Sequence, residues 1–190
     1  MWNEWIWADK TALLKGSDDL IKEAKKFKTF EDFKKSQGQE LYHWTKQQFN
    51  EFDDTKINIK NGMEYGIWHY FTNNKETAKN YWNIIKNNIV SLKKPYKVPE
   101  YENFVVSVYN KYWFTPQQMK KVKKWGKTAE TQVATDILKD KWYDWVIAKI
   151  NDNVDEIVVF NAGQIKTEAQ LKQIYEQAQK SKPLKKTSKN

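Results

Sequence analysis

Glu156 stands in the run Val154 to Phe160, where alternation places it on one strand face with Val154, Val158 and Phe160. A carboxylate among three apolar neighbours is either at a solvated strand end or held in a cleft for work. The chain has two histidines, His43 and His69, and both fall in short β-like runs, Tyr42–Thr45 and Tyr65–Thr72. His43 shares a face with Leu41 and Thr45, while Trp44 points the other way. Such a histidine is by pattern alone a satisfied structural residue or a ligand-binding one. Tyr70 lies near the end of the second run, and Tyr81 lies on the inner face of the helix expected after it. A strand, a turn and two helical turns bring the two rings back beside each other, where they pack a core or sandwich a flat ligand.

Composition narrows the chemistry available to these groups. There is no cysteine, which excludes disulfides, thiol catalysis and cysteine-ligated zinc. No His/Asp/Glu spacing suggests another metal site. Six glycines and no matching motif argue against a phosphate-cradling loop or a dinucleotide fingerprint. The net charge is +9, and all 33 basic residues are lysine. Bidentate arginine clamps on phosphate or carboxylate are therefore absent. The lysines are scattered, densest over Lys182–Lys189, and read first as a solvated surface; a basic chain also attracts nucleic acid, membranes or acidic proteins. No run of about 18 apolar residues is present. The start lacks the basic region of a signal peptide, so an intracellular protein with no membrane partner is expected.

The elements that must position the candidate residues follow from caps and periodicity. At 190 residues, with 39% hydrophobic and 15% aromatic content, one domain over 17–180 is expected. A Trp-rich segment, 1–16, precedes it, and a basic disordered tail, 181–190, follows. Ser17 and Thr29 read as caps of two helices, the first through about Lys28. Strands are expected over 40–45, 65–72 and 103–109, with a helix or turn over 46–52 and a loop over 53–63. Asn73, with Glu76, opens a helix to about Asn88; Pro95 and Pro99 mark 93–102 as irregular. Thr115-Pro116 and Thr128 start two helices. Two strands, 142–149 and 154–160, join through Asn151-Asp152-Asn153, and Thr167 with Gln170 caps a last helix. The order predicts an α+β domain with a mixed or antiparallel sheet.

The runs YHWT, FNEFD, YGIWHYFTNNKETAKNY, KWYDWVI and DEIVVFNAGQIK together resemble the H-Y-E branch of the ADP-ribosyltransferases. In particular they are similar to the ADP-ribosyltransferase-like domains of phage and mobile-element polyvalent proteins, which read YHGT…F..FD, G-x-YF(T/A)…A..Y, YDG(V/I) and E-(Y/I)-VVF-x-x-x-QI. The likeness covers about residues 24–166. It implies an ADP-ribosyltransferase-like split sheet with flanking helices, NAD as substrate, no metal, and transfer of ADP-ribose to an unnamed protein or nucleic-acid acceptor, or to water. It also suggests a phage or bacterial effector.

Residue by residue, the resemblance implies that His43 hydrogen-bonds NAD and that Tyr70 and Tyr81 clamp the flat nicotinamide cation. It makes Glu156 the catalytic carboxylate, holding the ribose hydroxyl and favouring the positive charge of an oxocarbenium-like ribose. Trp44, Thr45 and Ala78 fall at further nicotinamide-contacting positions. Trp44, Trp145 and a position at or near Trp68 carry glycine in the family. Trp44 leaves the backbone contacts intact where its side chain turns to the far face, whereas Trp68 shares a strand face with Tyr70 and would fill the pocket. These tryptophans motivate an alternative, a catalytically silent binding or virion-associated module with the same fold.

Overall fold

The computed structural model describes residues 17–57, 64–81, 83–100 and 102–181. The Trp-rich segment 1–16, the lysine run 182–189 and part of the 53–63 loop lie outside the described residues. The described residues fall into two compact units, one from 17–37 with 167–181 and one over 38–166.

Among the described residues the first unit holds three helices, α1 (Ser17–Ala24), α2 (Phe30–Gln37) and the last helix, Glu168–Lys180. Helix α1 stops four residues short of the expected Lys28. Thr29 caps α2: its Oγ1 accepts the Asp32 N–H at 3.2 Å and donates to the Asp32 carboxylate at 2.6 Å. Ala24, Phe33, Leu171 and Ala178 are fully buried, and Tyr175 packs on Phe30 and Phe33 with 5.9 Å between ring centroids. Thr167 and Gln170 form the expected capping box of the last helix.

The second unit is built on the sheet. Its strands are β1 (Gln39–Thr45), β2 (His69–Thr72), β3 (Ile84–Val90), β4 (Pro95–Lys97), β5 (Trp145–Asn151), β6 (Val154–Val159) and β7 (Ile165–Thr167). Their spatial order is β4-β5-β6-β2-β1-β3-β7. β4 runs parallel to β5, and the pairs β5–β6, β6–β2, β2–β1 and β1–β3 are antiparallel. The helices of this unit are α3 (Lys75–Tyr81), α4 (Phe104–Tyr112), α5 (Pro116–Trp125) and α6 (Lys127–Asp140), which makes the last helix α7. The fold is thus α+β with a seven-stranded mixed sheet, as the sequence predicts.

The two faces of the sheet carry different cores. Pairing puts Tyr42, Thr72, Glu156 and Ala148 in one row across β1, β2, β6 and β5, all on one face. Val146, Ala148 and Val158 of that face pack with Val108, Val133 and Leu138 of α4 and α6. Leu41, Phe71, Trp145, Ile157 and Val159 line the other face with Ile165.

Several elements differ from expectation. Residues 103–109 form the start of α4 instead of a strand: the Asn103 side chain accepts the N–H groups of Val105 and Val106, and Phe104, Ser107 and Val108 are buried at helical spacing. The helix expected to run to Asn88 ends at Tyr81, and Ile84–Val90 instead makes β3, pairing along the whole of β1. Its cap is Asn74, whose Oδ1 accepts the Thr77 N–H, while Asn73 is held by Asp155. The Pro95 stretch contributes β4 rather than staying irregular. Residues 46–52 form bends and no helix, and the following loop contains a 3₁₀ turn, Asp54–Lys56. The second strand is confined to His69–Thr72.

Candidate active site

The row ending at Glu156 lies on the sheet face that also carries α3 and the α4–α6 layer. No described side chain forms a hydrogen bond or ion pair with the Glu156 carboxylate. Burial pushes this carboxyl up to about 7, and the nearby Glu64 carboxylate adds to the shift. Burial raises the Tyr65, Tyr70 and Tyr81 phenols, and the charges of Glu156 and Glu64 add to each shift.

The Tyr70 hydroxyl is already used. It accepts the Tyr65 N–H at 3.2 Å and donates to the Gly66 carbonyl at 2.7 Å. Burial holds its phenol well above the ordinary range. The same two bonds pin the 64–66 turn beside Glu156. Gly66 is needed there: its φ is +130°, and a Cβ would meet Thr135 Oγ1 at 3.3 Å.

Tyr81, 48% exposed, ends α3 and stacks on Trp44, with ring centroids 4.6 Å apart and planes at 20°. The Trp44 indole therefore turns toward the tyrosine expected to clamp nicotinamide. Trp68 precedes the strand, and it packs with Tyr70 against the same α4–α6 core, with Lys139 Nζ 3.8 Å from its ring centroid. Trp145 is buried in the core of the other face. Trp44 is the one of these three tryptophans that stacks on Tyr81.

His43 sits on the Leu41 and Phe71 side of β1, its ring 4.9 Å from Phe52 and 5.4 Å from Phe71. Its Nδ1 lies 2.8 Å from the Tyr70 carbonyl, which can only accept, so Nδ1 carries the proton. Burial lowers this imidazole to about 4 against the Tyr70 hydrogen bond, which favours the protonated ring, and the neighbouring His69 and Lys86 charges contribute to the lowering. His43 thus reaches the site through the Tyr70 backbone, and its ring, 6.2 Å from Trp44, continues the aromatic row that ends at Tyr81. The Thr45 hydroxyl is turned to the Gln47 backbone, accepting its N–H and donating to its carbonyl. Ala78 is fully buried and supports α3 without offering surface to a ligand. His69 is held by Asp54, 2.8 Å from its Nε2.

A cleft of about 440 Å³ adjoins the sheet at β5, and Glu156, Tyr70, Tyr81 and Trp44 are not among its lining residues. Its wall includes Tyr65 and Ala148, the residue paired with Glu156, along with Glu100, Glu102, Lys149 and Asp152. That volume is in the range of small-molecule clefts. Glu64, Tyr65 and this cleft were not singled out by the sequence; an acidic residue before the Tyr-Gly turn was the available signal. Among the described residues no cluster of His, Asp or Glu could hold a metal ion, and no helix is long and apolar enough to cross a membrane.

No curated protein matches the chain. A solved structure titled "Crystal structure of an anti-CRISPR protein" is similar at 16% identity and a TM-score of 0.37, over 65% of this chain and 90% of that one. The family described as ADP-ribosyltransferase in polyvalent proteins matches residues 24–174, a stretch that holds every strand and every candidate site residue above, and the chain belongs to that family.

Proposed function

We propose that the chain binds NAD against the Tyr70 and Tyr81 rings and breaks its nicotinamide–ribose bond at Glu156, passing ADP-ribose to an acceptor nucleophile or to water. The observation that carries this reading is the Glu156 carboxylate, half-buried opposite Thr72 and Ala148 in the sheet and without a hydrogen-bond or ion-pair partner among the described residues. Ionised, it holds a ribose hydroxyl and opposes the positive charge that builds on the ribose as the bond breaks. The bond's electron pair leaves with nicotinamide, which becomes neutral. The acceptor's nucleophilic atom then bonds to the anomeric carbon and gives up its proton. His43 is a positioning residue here, fixing the Tyr70 backbone through Nδ1.

The Trp44–Tyr81 stack covers one face of the clamp, so nicotinamide binding displaces the indole. The same stack favours a second reading, a silent member of the family whose clamp is filled by its own side chain. Isothermal titration of NAD into the wild type, Tyr81→Ala and Trp44→Ala separates the two. The first reading predicts binding by the wild type, loss in Tyr81→Ala and tighter binding in Trp44→Ala. Absence of binding by both the wild type and Trp44→Ala at millimolar NAD leaves only the silent module.

A further inference from the structure

The C-terminal ends of α4 and α6 carry a surface that neither the fold nor the Glu156 site requires. At the end of α6 the Trp142 N–H donates to the Lys139 carbonyl at 2.9 Å and the Tyr143 N–H to the Leu138 carbonyl at 3.0 Å. This is a Schellman cap with Trp142 at the left-handed position, where glycine is the usual occupant because it has no Cβ to crowd the backbone. Trp142 has φ +65°, and Trp113, capping α4, has φ +54°. Both are bulky residues in a conformation that disfavours them. Both indoles also project into solvent, Trp113 70% exposed and Trp142 83% exposed, so core packing does not explain their presence.

The two indoles flank a tyrosine pair. Trp113 follows Tyr112, Trp142 precedes Tyr143, and the two hydroxyls lie 2.8 Å apart. Three ammonium groups stand among these rings. Lys111 Nζ is 5.4 Å from the Tyr112 centroid and 5.6 Å from that of Tyr143. Lys94 is 4.8 Å from Tyr143, and Lys141 is 5.8 Å from Tyr112. The Asp144 carboxylate next to them is tied to the Lys93 and Lys94 N–H groups.

We propose that this patch binds single-stranded nucleic acid, with bases stacking on Trp113 and Trp142 and phosphates meeting Lys94, Lys111 and Lys141. Flat exposed rings separated by cations match the alternation of base and phosphate along an unpaired strand. A lipid surface would call for contiguous apolar side chains. Hydroxyls and ammonium groups lie between these indoles instead. The patch flanks the start of β4 and β5, whereas Glu156 is paired with Ala148 further along the sheet, so the inference stands apart from NAD cleavage.

The test is fluorescence anisotropy of a short labelled oligo(dT) with the full chain at increasing salt. Trp113→Ala and Trp142→Ala are each expected to weaken binding about tenfold, the scale of one lost base stack. Replacing Lys94, Lys111 and Lys141 by Gln should flatten the salt dependence by about two in slope. Trp142→Gly keeps the result independent of folding: glycine relieves the cap and raises the melting temperature while oligonucleotide binding weakens. The proposal is overturned if the wild type does not bind the oligonucleotide at micromolar concentration. It is also overturned if the Trp113→Ala/Trp142→Ala double variant binds as tightly as wild type, which would assign binding elsewhere, as to Lys182–Lys189. Binding to anionic phospholipid vesicles that the double variant loses, without oligonucleotide binding, would make the patch a lipid contact and overturn it too.

Discussion

Glu156 holds its proton to about pH 7, against an ordinary value of 4.5, and that has two measurable consequences. Between those values the folded state binds more protons than the unfolded chain, so this group's contribution to stability falls as pH rises through the window. Glu156→Gln removes the ionisation. Above pH 7 the variant should therefore gain up to about 3 kcal/mol on the wild type, and below the ordinary carboxylate value it should gain little. Urea unfolding of both proteins at the two ends of the window checks this; a pH-independent difference would show that the carboxylate is not held up by burial. His43 runs the other way. Its imidazole is lowered from 6.5 to about 4, so the unfolded state binds more protons in that range and stability is lost as pH falls through it. Nitrogen-15 NMR should find a neutral ring protonated at Nδ1 and titrating near 4. Titration near 6.5 would mean that the ring is not buried between Phe52 and Phe71.

Among the elements, β1 is where the site and the fold meet. It pairs with β3 along its whole length but with β2 at Tyr42 opposite Thr72, and the His43 side chain then reaches the Tyr70 carbonyl. Its start depends on Gly38, whose φ is +152° and whose Cβ, if present, would lie 2.1 Å from the Val90 carbonyl oxygen. Gly38→Ala should destabilise the protein by roughly 2–5 kcal/mol, from backbone strain and overpacking together. Thermal or urea unfolding measures it, and a loss within a few tenths would contradict the tight β1–β3 junction. The legibility of these elements tracked the kind of signal each carried. The caps at Thr115 and Thr167 are local chemistry and read directly from sequence. Val105, Val106 and Val108 favour a strand locally, but burial of Phe104 and Val108 with the Asn103 cap makes a helix. The helix after Asn74 and strand β3 share an apolar pattern that serves either period, and only pairing with β1 separates them. In the site, alternation gave the face of Glu156, Tyr70 and Trp44 within each strand, and the strand pairing brings the three to one side of the sheet. The direction of the Trp44 ring and the influence of Glu64 are set by tertiary contacts that no spacing encodes.

At the scale of the molecule, a chain of net charge +9 with lysine as its only basic residue type surrounds a site made of carboxylates and phenols. The cleft at β5 is walled by Glu100, Glu102 and Asp152, with Lys149 paired to Glu100 and Asp152 at 2.9 and 3.1 Å. Exposed tryptophans stand on the helical layer, at the other end of β5 from that cleft. The family supplies the class of reaction, and the proposal places it at Glu156, which has no hydrogen-bond or ion-pair partner among the described residues. The most direct measurement is nicotinamide release from NAD by the full chain and by Glu156→Gln, followed across neutral pH. Release by the wild type that rises through about pH 7 and disappears in Glu156→Gln is the predicted result. Release that survives in Glu156→Gln, or none from a wild-type chain that binds NAD, would contradict cleavage at this carboxylate.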